Sequence, residues 1–142
     1  MKDIHCGMLI KLINDKLYKN LNKELKEVDI TYSQLKFLFF MNDMYNANMP
    51  SYLKSFEQFF SVSQPTVVGI IKRLEKKGLI YLTNDEVDKR IKIAHLTDKG
   101  FEVCNICIAN KYNTEKKILK NFTKQEEHQL QELLKKLYEN ID

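Results

Sequence analysis

Apolar side chains at Ile4, Met8, Ile13, Leu17, Leu21, Leu25 and Val28 recur at steps of three, four and five positions with no proline among them. That spacing predicts one long amphipathic helix over residues 4–28. Thr31 followed by Gln34 forms a capping box, and Ile30 with Leu35 a hydrophobic staple, so a second helix starts there and runs through LKFLFFM. YNANMP, Tyr45 to Pro50, ends it. A third, short helix is expected over Ser51 to Phe60 with Leu53, Phe56, Phe59 and Phe60 inward, after which Ser61 and Val62 turn the chain.

Ser63 is a good N-cap for a fourth helix, and Pro65 fits its first turn, where a backbone N–H would lack an intrahelical partner. Val67, Ile70, Ile71 and Leu74 form its buried stripe, and Gly78 closes it. Two β-prone runs follow, IYLT and IKIAHL, separated by the polar stretch NDEVDKR, which reads as a hairpin tip. Helix, turn, helix and charged hairpin is the order of a winged helix-turn-helix. Thr97 then caps a long helix carrying Phe101, Cys104, Ile108, Tyr112, Ile118 and Phe122. Thr123 with Glu126 opens a last one with Leu130, Leu133, Leu134, Leu137 and Ile141.

The expected fold is therefore mainly α: a winged helix-turn-helix at residues 31–96 with one small β-hairpin wing, flanked by long helices at 1–30 and 97–142. The flanking helices hold more apolar surface than so small a motif needs to cover itself. They are expected to form a dimerisation region, the whole being a single intertwined domain.

Composition narrows the class. With 44% hydrophobic and 30% charged residues in 142, the chain reads as one folded, soluble domain. No apolar run is long enough to span a membrane, and the stretch MKDIHCGMLIKL lacks a small-residue cleavage site. Three cysteines, Cys6, Cys104 and Cys107, are an odd number at spacings unlike a disulfide framework, which fits a reducing compartment. A cytoplasmic protein is expected. Net charge is +4, and the segment from Gln64 to Lys92 concentrates it, with seven basic residues against four acidic ones. Such a cluster is either a solvated face or the footprint of a phosphate backbone.

The outward face of the fourth helix holds Gln64, Thr66, Val68, Gly69, Lys72, Arg73 and Lys76. Gln64 can offer a donor and an acceptor to an adenine edge, while Ser63 and Thr66 can bond a phosphate at the helix N-terminus. Lys72 and Arg73 suit phosphates or a guanine edge, and Lys89 and Arg90 stand on the hairpin tip. Gly69, unfavourable in a helix, either lets a DNA groove approach the backbone or permits close helix packing. Arg73 either reads DNA or pairs with an acid such as Glu57 or Glu75.

The stretch SVSQPTVVGIIKRLEKKGLI, the triplet DKR at Asp88 to Arg90 and HLTDKG at His95 to Gly100, in this order, resemble the MarR family of bacterial transcriptional regulators. The likeness spans essentially the whole chain. It implies an obligate homodimer, interlocked through its terminal helices, that places two winged motifs on a pseudo-palindromic operator with half-sites one turn apart. It also implies that Arg90 enters the minor groove and that Asp88 holds it in place. Glu57 stands where the family often has a small residue, and Ser61 where its turn often has a glycine. They leave the register of base contacts open.

Members of that family commonly respond to small aromatic anions, oxidants or metals. Tyr18, Tyr32, Tyr45 and Tyr112 are the candidates to line an effector pocket. Cys104 and Cys107, at i and i+3, and Cys6 are the candidates for oxidation sensing, against the plainer reading of buried apolar cysteine. His5, His95 and His128 are scattered, so no metal site is expected, and no cofactor either. The chain has no nucleophile elbow or phosphate-cradling glycine loop, so an enzyme is not expected. Three functions remain in competition: a sequence-specific regulator, most simply a repressor, a non-specific architectural DNA binder, and a winged-helix module that binds protein.

Overall fold

In a computed structural model, residues 4–141 are described. They form six α-helices and a three-stranded antiparallel sheet: α1 (Cys6–Glu27), α2 (Tyr32–Asn46), β1 (Ser51–Tyr52), α3 (Leu53–Phe60), α4 (Gln64–Lys76), β2 (Ile80–Asn84), β3 (Lys92–Leu96), α5 (Asp98–Ile118) and α6 (Lys124–Glu139). Positions 1–3 and 142, the outer ends of the two expected dimerisation segments, lie outside the described residues. None of the described helices is long and apolar enough to cross a membrane.

The chain divides into two compact units, one running through Cys107 and the other starting at Ile108. The first has one core, in which Leu38, Met41, Phe56, Val67, Ile71, Leu74, Leu79 and Cys104 are fully buried. Local chemistry sets its helix starts. Thr31 Oγ1 accepts from Gln34 N–H while Gln34 Oε1 accepts from Thr31 N–H, both at 3.2 Å, so the capping box is complete. Ile30 and Leu35 beside it are both buried. Aromatic rings join α2 to α3, with Phe37 and Phe40 at 4.9 and 4.7 Å from Phe56.

The third helix is shorter than its sequence suggests. Ser51 and Tyr52 are extended and pair with Ala94 and Ile93 of β3, so the wing is not a lone hairpin: the sheet has the order β1-β3-β2. Pro50 keeps the preceding residue out of helical conformation, and the edge of β3 then takes the next two residues as ladder partners. Phe59, expected inward, is 68% exposed. It falls on the flank of a two-turn helix whose centre is fixed by Phe56.

β2 and β3 pair from Ile80↔Leu96 to Asn84↔Lys92, framing a loop from Asp85 to Ile91. Gly78 adopts φ 70°, the left-handed turn expected after α4. Thr97 Oγ1 accepts from Gly100 N–H at 3.1 Å and starts α5. A Cβ on Gly100 would stand 2.1 Å from the Leu79 carbonyl oxygen, so α5 meets the entry to β2 at a distance only glycine permits.

In the second unit, Thr123 and Glu126 complete a second capping box at the start of α6. No residue of α6 is buried, and Leu133, Leu134 and Tyr138 are exposed.

Candidate DNA-reading face

Ser63 N-caps α4, its Oγ accepting from Thr66 N–H at 3.4 Å and lying 2.9 Å from Thr66 Oγ1. The two hydroxyls carry two hydrogens and share one between them, so one O–H remains to donate outward. Val67, Ile71 and Leu74 are buried and Ile70 half-buried, as the stripe requires, which turns Gln64, Thr66, Lys72, Arg73 and Lys76 to solvent. Val68 and Gly69 are half-buried between them.

The plainer readings of Gly69 and Arg73 can be compared with the contacts within the chain. A Cβ on Gly69 would meet nothing within 4 Å, so no helix packing in the chain calls for glycine at this position. Among the described residues, Lys72 and Arg73 make no ion pair, with Glu57 or Glu75 or any other acid. Both side chains are available to a partner.

The wing tip is organised by its own acids. Asp85 Oδ2 accepts from the N–H groups of Val87 and Asp88, at 3.0 and 3.1 Å, and its other oxygen accepts from Tyr52 Oη at 3.5 Å. Asp88 grips Arg90 with both oxygens: Oδ1 accepts from the Arg90 backbone N–H and from Nε, each at 3.1 Å, and Oδ2 accepts from a terminal guanidinium nitrogen at 3.2 Å. This fork holds the Asp88 carboxyl below the usual carboxylate range. The Arg90 side chain itself is 91% exposed, and Lys89 beside it is also exposed. A cavity of about 260 Å³ is lined by Gln64, Val68, Arg90 and Lys92 with Glu57. The loop end of the wing therefore adjoins the first turns of α4, and Gln64 and Val68 share one surface with Arg90.

One basic residue of the sequence cluster does not share it. Lys77 turns inward, towards Asp29 and Gln34. Asp85 is the opposite case, an acid of the hairpin tip that organises the loop. The aspartate two residues before Val87 in NDEVD, an Asx-turn pattern, was the available signal.

Tyr18 and Tyr32 meet edge to face at 5.9 Å, whereas Tyr45 packs on Phe101 at 4.8 Å. Tyr45 borders a cleft of about 590 Å³ with Met41, Met49, Tyr81, His95 and Phe101, a lining that contains no Asp, Glu, Lys or Arg. Tyr112, in the second unit, lies under the Lys116 ammonium at 4.8 Å. Of the cysteines, Cys6 is exposed while Cys104 and Cys107 are buried. Burial pushes the Cys104 thiol up to about 12, with Cys107 and Asp43 adding to the effect, and burial also raises Cys107. Both stay protonated near neutrality, the form that reacts slowly with oxidants. Among the described residues no three His, Cys, Asp or Glu side chains are grouped to hold a metal ion.

The helix pair, the braced hairpin and the basic outward face define a winged helix-turn-helix protein of the DNA-binding, transcription-regulating class. The MarR family model matches residues 30–92. The multiple antibiotic resistance protein MarR of Salmonella typhimurium is 31% identical over 135 residues, 94% of this chain and 91% of that protein. The chain belongs to the MarR family. Its fold is similar to that of a MepR variant from S. aureus, with a TM-score of 0.86 at 21% identity, covering 98% of this chain and 100% of the other. The S. aureus MepR–DNA complex gives 0.80 at 21% identity, covering 96% and 99%.

Proposed function

We propose that the protein is a homodimeric, sequence-specific reader of double-stranded DNA that acts as a repressor on a pseudo-palindromic operator. The observation that carries this reading is the outward face of α4, where, among the described residues, Lys72 and Arg73 make no ion pair, a Cβ on Gly69 would meet nothing within 4 Å, and the Arg90 fork adjoins the first turns. In a major groove, Gln64 would meet a base edge, Lys72 and Arg73 phosphates or guanine, and Ser63 and Thr66 a phosphate at the helix N-terminus. Val68 and Gly69 would lie against the groove, and Lys89 and Arg90 would reach the adjacent minor groove with Asp88 as the brace. That MepR, a similar fold, has been captured with DNA supports the same use here.

Residues 1–30 and 97–142 would supply the dimer contacts and 31–96 the DNA-reading region. Exposed apolar side chains on α1 (Met8, Leu12, Ile13) and on α6 (Leu133, Leu134) support this division. A small aromatic or anionic molecule would release the protein from DNA, and the cleft beside Tyr45, lined by aromatic rings and methionines, would suit an aromatic ring. This is binding chemistry rather than catalysis, and it belongs in the cytoplasm with the DNA.

Selection of bound duplexes from a random pool at physiological salt tests the reading. A pseudo-palindrome with half-sites one helical turn apart is expected. Binding without a motif, vanishing as salt rises, would replace it with architectural binding. Retention of no DNA would replace it with the protein-interaction module.

A further inference from the structure

Lys77 is the C-cap of α4, directly after the basic outward face, yet its side chain is only 28% exposed. Its Nζ donates to the Asp29 carbonyl oxygen and, at 3.1 Å, to Gln34 Oε1, and it stands 3.7 Å from the Asp29 carboxylate. Of the three donors of the ammonium, two are taken up by the α1–α2 turn and the first turn of α2, and the Asp29 carboxylate adds charge attraction from outside hydrogen-bond distance. Asp29 itself has φ 53°, a left-handed conformation that side-chain-bearing residues adopt only where the surroundings hold them.

Gln34 is the second half of the device. It is 3% exposed, one of very few buried polar residues, and its Oε1 accepts twice: from Thr31 N–H in the capping box and from Lys77. Removing the lysine would leave the capping box intact, so the tie is separable from the formation of α2. On its other side the same helix end is held by α5. Lys99 Nζ donates to the Lys77 carbonyl at 3.0 Å, and Thr97 Oγ1 to the Gly78 carbonyl at 2.7 Å, filling acceptors that a helix C-terminus leaves free.

We propose that Lys77 is a positioning residue whose ammonium, seated between Asp29 and buried Gln34, fixes the C-terminal end of α4 to the α1–α2 turn and thereby sets the angle at which α4 meets DNA. The proposal rests on the DNA-reading function above. α1 leads into that turn through buried Leu25 and exposes Met8 and Ile13, so whatever holds α1 also holds α4. Lys77 is then a basic residue that governs DNA affinity without touching a phosphate.

The test is Lys77→Met in the full chain, which keeps an unbranched apolar stem and removes the charge, with Lys77→Arg as the conservative variant. Affinity for the selected operator should fall about tenfold. The slope of log affinity against log salt should stay at the wild-type value, since no phosphate contact is lost. Operators with one base pair added between half-sites should be discriminated against less strongly than by the wild type, and Lys77→Arg should recover most of the loss. Amide exchange without DNA reads the tie alone: Ile30, Gly78 and Leu79 should exchange faster in Lys77→Met while the rest of the core is unchanged. A salt slope reduced by about one unit would overturn the proposal by making Lys77 a phosphate contact. Unchanged affinity and spacing discrimination would overturn it as well, and a fall in melting temperature with exchange accelerated throughout the core would reduce Lys77 to a general stabiliser. Should the wild type bind no operator, the DNA-reading function fails with its dependent claim, and the exchange pattern still shows whether the tie exists.

Discussion

Gly69 separates stability from function at a single atom. An alanine methyl there would enter open space, so Gly69→Ala should stabilise α4 by about 1 kcal/mol through helix propensity. The same methyl would face the groove that the backbone is proposed to approach. We expect a higher melting temperature with weaker operator binding, and a rise in both would remove Gly69 from the DNA-reading face. Arg90→Ala should cost about 1–3 kcal/mol of DNA binding while the oligomeric state persists, read by titration of a labelled operator and by sedimentation. Asp88→Asn should cost part of that, because one amide cannot reproduce the two-oxygen grip. The pH sense follows from the lowered Asp88 pKa. The carboxylate is fully ionised above the ordinary aspartate range and the fork is lost only as pH falls through the depressed value, so the Arg90 contribution should be flat from pH 8 to 5. At this scale the outward residues of α4 were legible because a helix repeats every few positions. Lys77 was not, because its direction is decided by a turn far back along the chain.

Elements whose boundaries are set by their own neighbours were read well. Both capping boxes and the Ser63 cap are contacts across three residues, and the sequence names both partners. β1 was missed because what makes Ser51 extended is its pairing with Ala94. The hairpin was visible as two β-prone runs, whereas the fork inside it needed coordinates. Gly100 is where two elements are most tightly fitted. Gly100→Ala would drive a methyl into the Leu79 carbonyl, which also accepts from Thr97 N–H at 3.1 Å. Backbone on both sides must then shift, and overpacking of this kind costs about 1–3 kcal/mol. Chemical denaturation should show a loss at the upper end of that range, with Thr97 and Phe101 amides exchanging faster. A loss below about 0.5 kcal/mol would mean that α5 slides along the sheet without resistance.

For the whole molecule, the unsolved part is what covers its apolar surface. On α1, Met8 is 52% and Ile13 55% exposed, and α6 buries none of its residues while presenting Leu133, Leu134 and Tyr138 to solvent. Soluble monomers rarely leave patches of this kind open. The excess is legible in the sequence because these helices carry more apolar positions than a small winged motif needs to cover itself. The sequence could not show which positions stay uncovered, a matter of packing in three dimensions. In the dimer proposed above, a second copy of the chain would cover this apolar surface and would supply a second α4 for a second half-site. Equilibrium sedimentation at micromolar concentration should therefore give twice the chain mass. Ile13→Glu should shift that equilibrium to monomer, since it places a carboxylate in an apolar contact that closes around it. Ile13 is exposed and lies outside the core of the unit that carries the winged motif, so that unit should keep its fold, and the monomer should retain weak binding to a single half-site and lose the cooperative binding to the full operator. If Ile13→Glu remains dimeric with unchanged operator affinity, α1 does not lie in the interface, and the apolar face of α6 becomes the surface to substitute next.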